Sequence, residues 1–398
     1  MAKRFQHTDR NVKNGFRNVF ALGFVSFFTD FSTEMIQGIL PIFIIKELNG
    51  TKMILGLIEG LGEAINYVMR MLSGIVSDRL GKRKVLIAIG YGLSTISKPF
   101  FAISQMWSDA LLIRVSDRGG KGLRTAPRDA LLSESIGDRD ISKAFGIHRS
   151  LDQLGAIVGP LVTFILIPLF TLRTIFWLSF IPGFIAVSIL LLFVKESRTI
   201  VSKRAGILED VREVLNPNFL AFLTIIGIFS IGAFNFSFIL IKAGELGIEE
   251  NFIPLIYMVM NITHTCVGFP SGVLADRIGR ERVLVLGFGA FLLSSSLAMV
   301  LRDSYVYAYL IAAIYGVYTG IVETVQRALV PKYSPEHLRG TAYGLFNLFI
   351  GLCFLIANSV FGMLWEYLGS MVAFGYSIFT SLTAIFMMVI FLSKSKNG

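Results

Sequence analysis

Apolar runs of about 20 residues recur along this chain from end to end, each long enough to cross a hydrocarbon core roughly 30 Å thick. Twelve are centred near residues 31, 64, 95, 120, 157, 184, 231, 263, 291, 318, 352 and 381. Lipid offers no partner to a backbone N–H or C=O, so only helices and closed barrels can span it. The alternating ten-residue segments of a barrel are absent. The expected fold class is therefore an all-α membrane protein with twelve transmembrane helices. Composition agrees: 16% of residues are charged, against about 25% in a soluble domain. The 38 glycines are spread through the runs, as helices packing backbone to backbone in lipid require.

The net charge of +10 does not point to nucleic acid. With both termini placed in the cytoplasm, the inner segments hold most of the Lys and Arg. The outer loops hold only Lys46, Lys52, Arg173, Lys242 and Arg302. That asymmetry orients a membrane protein and leaves no basic patch over. Cys266 and Cys353 both lie in apolar runs with no metal spacing, so neither a disulfide framework nor a metal site is expected. The polar segment before Asn18 leads into an apolar run reaching about Ile45, too long for a cleaved signal peptide.

The chain also repeats itself. Ser73-Gly74-Ile75-Val76-Ser77-Asp78-Arg79-Leu80-Gly81-Lys82 returns as Ser271-Gly272-Val273-Leu274-Ala275-Asp276-Arg277-Ile278-Gly279-Arg280. Ala130-Leu131 returns as Ala328-Leu329, and Ala144-Phe145-Gly146 as Ala342-Tyr343-Gly344. Every pair is 198 positions apart in a chain of 398. The expected domains are six-helix bundles at residues 1–194 and 217–398, joined by a polar cytoplasmic connector at 195–216.

Gly74, Asp78, Arg79, Gly81, Lys82 and Arg83 resemble the signature loop between the second and third helices of the major facilitator superfamily. The second copy, through Asp276, Arg277 and Gly279, departs from it at Glu281. The resemblance covers the whole chain. It implies two pseudo-symmetric bundles around a central cavity, working by alternating access. It also implies a gating role for these loops: Asp78, at a helix end, is expected to accept from backbone N–H groups of a neighbouring helix start and to pair with arginine. Gly155-Ala156-Ile157-Val158-Gly159-Pro160 resembles an element typical of proton-driven exporters, without the two further glycines expected after Leu161. Thr29 to Met35 and Gly120 to Ala130 resemble a branch often labelled drug or multidrug efflux.

Charges inside the membrane cost roughly 2.5–3.5 kcal/mol each on insertion scales and mark function by default. Asp30, Glu34 and Gln37 share one face of the first helix, within about 60° at 100° per residue. Glu59, Glu63, Asn66 and Arg70 share a face of the second. The fourth carries Arg114, Asp117, Arg118, Lys121, Arg124, Arg128 and Asp129 within an arc of about 140°. There the superfamily commonly has Arg-x-x-Gln-Gly-x-Gly-x-Gly; Arg114, Gly120 and Gly122 remain, while Asp117, Arg118 and Lys121 replace uncharged residues. Pro127 is expected to kink this helix or end its regular ladder. Asp152 on the fifth helix and Glu323 and Arg327 on the tenth complete the candidate substrate and proton cavity.

Cations and anions in the first half nearly balance, so two readings stand: a paired architectural network, or a site whose partners exchange as a carboxylate is protonated. Phe234, Asn235, Phe238, Tyr315 and Tyr318 are candidates for aromatic cavity walls or for ordinary packing. No P-loop and no His-Glu-x-x-His occurs, and no soluble segment is long enough for a catalytic domain. No catalytic residue, enzyme activity or cofactor is expected; an ion gradient, most simply of protons, is the energy source. The expected function is a secondary transporter of a small organic solute in the plasma membrane, proton-coupled and exporting. Uptake by proton symport or facilitation is the alternative, and a non-transporting receptor on the same fold a further one. The expected partners are the lipid bilayer and the solute, anionic if the fourth helix binds it, in a monomer.

Overall fold

The computed structural model describes residues 2–136, 141–196 and 207–397. Part of the expected connector, 197–206, lies outside them. All regular structure among the described residues is helical. Among the described residues, nine segments are long and apolar enough to cross a membrane, and Pro217–Ser230 is a shorter apolar helix. Two further helices, Lys52–Leu80 and Trp107–Ser135, have 29 residues each. Their interior charges explain why they fall outside an apolarity criterion.

The chain forms two compact units. One holds residues 1–37 and 65–203, the other residues 38–64 and 204–398. The first unit contains α1 (Ala2–Gln37), the second half of α3 (Lys52–Leu80), α4 (Arg83–Ser97), α5 (Trp107–Ser135), α6 (Ile141–Leu166), α7 (Leu172–Leu178) and α8 (Phe180–Phe193). Helix α1 ends where Gly38 and Ile39 interrupt the first apolar run, and α2 (Leu40–Lys46) restarts it with Pro41 in the first turn, where a missing N–H costs nothing. Asp109 in the first turn of α5 accepts from the backbone N–H of Gln105 (2.9 Å) and Met106 (3.1 Å). Pro127 does not end α5, which continues as helix to Ser135. In lipid an uncoiled backbone has nothing else to bond, so the helix tolerates one lost hydrogen bond. Val19, Leu22, Val25, Ile87, Tyr91, Leu131 and Leu190 form the apolar core of this unit.

The second unit contains the 38–64 segment, α9 (Ile207–Val214), α10 (Pro217–Ser230), α11 (Ser237–Glu245), α12 (Ile253–Ile278), α13 (Arg280–Val300), α14 (Val306–Tyr333), α15 (Arg339–Leu368) and α16 (Ser370–Asn397). Asn216 caps α10 by accepting from Phe219 N–H at 3.0 Å, with Pro217 following at the first helical position. Between α10 and α11 the helix is broken at residues 231–236. An open backbone group in hydrocarbon costs several kcal/mol, and here side chains take the exposed groups. Tyr376 donates to Ile231 O (2.8 Å), Ser377 to Gly232 O (2.7 Å) and Tyr315 to Phe234 O (2.7 Å). Asn358 accepts from Asn235 N–H (2.7 Å). Phe234 stacks among Phe291, Phe361, Phe374 and Tyr315. Phe234, Phe238 and Tyr315 are buried, so these aromatics are packing.

The repeat is structural as well as textual. A Cβ on Gly122 of α5 would stand 2.3 Å from Asn66 O of α3; 198 positions on, one on Gly320 of α14 would stand 2.7 Å from His264 O of α12. Both places admit only glycine, because the two backbones touch.

Candidate functional site

The signature loop lies in the first unit. Gly81 has φ +62°, a left-handed conformation that favours glycine. Asp78 pairs with Arg83 (3.3 Å), and Arg83 also binds Glu134 (2.7 Å). The backbone donors at the start of α4 go elsewhere than expected: Glu196 accepts from Arg83 N–H and Lys84 N–H, each at 3.0 Å. Asp78 is therefore an arginine partner rather than a helix cap, and Arg79 is exposed. In the second copy, Gly279 has φ +101°. Asp276 sits 3.8 Å from Arg280, and Asp276 and Arg277 are both exposed. Glu281 occupies Arg83's place in the repeat and pairs with Lys332, which occupies Glu134's. The ion pair is kept with its charges exchanged, which explains the departure from the motif at Glu281.

Within the first unit, buried charge is concentrated where α1, α4, α5 and α6 meet. Two guanidinium groups converge on one amide oxygen: Arg114 and Arg118 donate to Gln37 Oε1 at 3.0 and 2.6 Å. Gln37 Nε2 in turn donates to Glu34 Oε1 at 2.9 Å. Asp117 accepts from Ser94 at 2.5 Å and lies 3.9 Å from Arg114. Lys98 is 1% exposed and donates to Ser32 (3.0 Å), which donates to Ser179 O (2.6 Å). Near the other end, Arg128 pairs with Asp129 (2.8 Å) and reaches Ser26 (3.3 Å), while Arg70 stands 4.0 Å from Asp129. Asp30 of α1 and Lys121 of α5 are half-buried, and Asp152 of α6 is buried with Arg149 3.2 Å away.

Arg124 lies 4.4 Å over the ring of Tyr91, inside the helix packing. Its Cβ stands against Gly90, so the side chain is directed at α4, as is that of Asp117 through Ser94. Lys98, Ser94 and Tyr91 belong to the cluster although no charged stripe contains them. Their signal in the sequence is a polar group on an apolar helix beside the charged α5.

In the second unit Glu59 is 1% exposed and accepts from Ser237 at 3.2 Å. Glu63 is half-buried. Glu323 is exposed and lies 3.8 Å from His264. Arg327 is half-buried, and its carbonyl accepts from Tyr343 at 3.0 Å. Among the described residues no group of three His, Cys, Asp or Glu is placed to hold a metal ion.

A helical chain with two repeated units and buried charge among its helices is a multi-pass membrane protein of the transporter class. The Major Facilitator Superfamily matches residues 22–357 and 220–398, and the chain belongs to that family. It is 34% identical over 377 residues to an uncharacterized MFS-type transporter of Methanocaldococcus jannaschii, covering 92% of each chain. It is 24% identical over 291 residues to a multidrug resistance protein, MdtG, of Proteus mirabilis, covering 70% of this chain and 72% of that one. Among solved structures it resembles the nucleoside transporter NupG, with TM-score 0.73 and 17% identity, over 93% of this chain and 98% of that one. It also resembles the POT family transporter PepTSo, with TM-score 0.80 and 12% identity, over 96% and 98%.

Proposed function

We propose that this chain is a proton-coupled secondary transporter that exports a small organic solute across the plasma membrane, as a monomer with both termini in the cytoplasm. The observation that carries the reading is the set of carboxyl groups on α1, α5 and α6, held against buried cations in a unit that a purely structural bundle would build from apolar side chains. Protonating one carboxyl releases its cation, which is the event that coupled transport needs. The similarity to a multidrug resistance protein supports export. The meeting of Arg114 and Arg118 at Gln37 Oε1 supports an anionic group on the solute, since two guanidinium groups suit the oxygens of one carboxylate.

Proteoliposomes with an imposed pH gradient of either sign test this, using ethidium as a cationic probe and carboxyfluorescein as an anionic one. Flux of the anionic probe against the proton gradient, lost in Arg118→Ala, is the expected result. Ethidium flux unaltered by Arg118→Ala would remove the anion from the reading. Flux indifferent to the sign and size of the gradient would remove the proton.

A further inference from the structure

Helices α4 and α5 cross with their backbones in contact. A Cβ on Gly90 would stand 2.7 Å from Gly120 O and 2.8 Å from Arg124 Cβ; one on Gly120 would stand 2.6 Å from Gly90 O and 2.9 Å from Ser94 N. Arg124 lies one turn beyond this crossing, and its guanidinium is carried over the ring of Tyr91. Arg124 is 3% exposed and Tyr91 is fully buried. Arg124 Nη1 and the Tyr91 hydroxyl are both buried polar atoms without a hydrogen-bond partner. Among the described residues Arg124 forms no ion pair and donates no hydrogen bond. The two carboxylates inside α5 are engaged elsewhere. Asp117 accepts from Ser94 (2.5 Å) and lies 3.9 Å from Arg114, while Asp129 pairs with Arg128 (2.8 Å) and stands 4.0 Å from Arg70.

A guanidinium keeps its charge in proteins, so Arg124 cannot escape the cost of burial by turning neutral, as a buried lysine can. An uncompensated cation in the membrane interior costs several kcal/mol, and a desolvated aromatic face returns about 2 kcal/mol of it. Packing does not call for the charge, because the repeat puts Val322 at this place, against Gly287 of α13. We propose that α4 and α5 bind a halide ion, chloride under ordinary conditions, between Arg124 Nη1 and the Tyr91 hydroxyl. Both atoms can donate, and the hydroxyl sits at the edge of the ring that the guanidinium covers, so one small acceptor reaches both. Water would satisfy the donors but bring no charge. A phosphate or a carboxylated solute is too large, since the two backbones already touch beside the site at Gly90 and Gly120. The site is also distinct from the meeting of Arg114 and Arg118, which are directed at Gln37 of α1 rather than at α4. The halide is thus a resident counter-charge that ties α4 to α5, and not the transported solute. The inference stands independently of proton coupling and of what the solute is.

Thermal unfolding of the purified full-length protein in detergent tests it, with sodium gluconate replaced stepwise by sodium chloride at constant ionic strength. The parent should gain stability saturably with chloride, and bromide should substitute for it. Tyr91→Phe keeps the ring but removes one donor, and it should need about tenfold more chloride for the same gain. Arg124→Val copies the second repeat and should unfold at one temperature in either salt. Arg118→Ala should keep the parent's chloride response. Crystals soaked in bromide should show an anomalous peak within hydrogen-bonding distance of Arg124 Nη1. A parent indifferent to chloride, a response surviving in Arg124→Val, or a Tyr91→Phe variant with the parent's chloride requirement overturns the proposal. So does bromide found only away from α4 and α5, or a response lost in Arg118→Ala alone, which would assign the anion to the solute site. The parent titration and the bromide peak need no variant, so a substitution that fails to fold does not shield the idea.

Discussion

Helix α5 of the first unit and α14 of the second occupy equivalent places in the repeat, and their interiors are opposites. Stepping 198 positions, Arg114 corresponds to Ala312, Asp117 to Tyr315, Arg118 to Gly316, Lys121 to Thr319 and Arg124 to Val322. Both helices keep a glycine backbone contact with the helix two before them in the chain, at Gly122 and Gly320. One scaffold was thus filled in two ways, with ions in the first unit and with aromatics in the second. The apolar filling shows that the architecture does not require charge. Buried ion pairs add little stability over packed apolar groups, so the charges of α5 are there for something other than folding.

That contrast can be broken, and the largest effect tests it first. Asp117→Leu removes the carboxylate beside Arg114, and breaking a buried pair this way should cost about 3–5 kcal/mol. Its counterpart Tyr315→Phe loses one hydrogen bond to Phe234 O and should cost about 1 kcal/mol. Unfolding in detergent measures both; equal losses would erase the distinction drawn between the units. Next come the shared glycines. Gly122→Ala and Gly320→Ala should each destabilise by about 1–3 kcal/mol through overpacking, with Gly122 the worse because its Cβ would sit 2.3 Å from a carbonyl against 2.7 Å. Tolerance of alanine at Gly122 alone would mean that the two seams are not equivalent.

The exchanged ion pair allows a finer test. Arg83→Glu and Glu134→Lys singly should each lower stability, while the double variant, which copies Glu281 and Lys332 into the first unit, should recover about 0.5–3 kcal/mol of coupling. Strictly additive singles would show that position, not pairing, decides these residues. Smallest in stability is Asp78→Asn, since Asp78 is exposed and its pairing with Arg83 at such a site is worth about 0–1 kcal/mol. Its expected effect is on conformation: cysteines placed along α5 and α6 near the loop should become more accessible to a thiol reagent. Unchanged labelling would end the gating role assigned to Asp78.

Much of this molecule was legible in its sequence. The apolar runs set the helices, and the register of 198 predicted that loop and helices would come in pairs. It also held the exchange of Arg83 and Glu134 for Glu281 and Lys332, although a motif read one residue at a time sees only a departure at Glu281. Helical angles put Arg118, Lys121 and Arg124 in one arc but did not show that Arg124 lies over Tyr91. A wheel gives direction about an axis and says nothing of Tyr91 waiting on the neighbouring helix. Asp30 and Asp152 were each visible as acids within apolar runs, but which helices pack together was not, and the close approach of α6 to α1 at Gly155 and Gly159 supplies that. The break at residues 231–236 left little trace. Its carbonyls are taken by Tyr315, Tyr376 and Ser377, at least 79 positions downstream of it.

Just beyond α8, Lys195 N–H donates to Asn18 Oδ1 (3.0 Å), Asn18 Nδ2 donates to Lys195 O (3.0 Å), and Glu196 caps α4. The chain leaving the first unit is thereby moored at Lys195 and Glu196, the first two residues of the connector. A tug along the connector would meet Glu196 first, and through it the N–H groups of Arg83 and Lys84. Whatever pulls on Glu196 pulls on the signature loop before it reaches any helix interior.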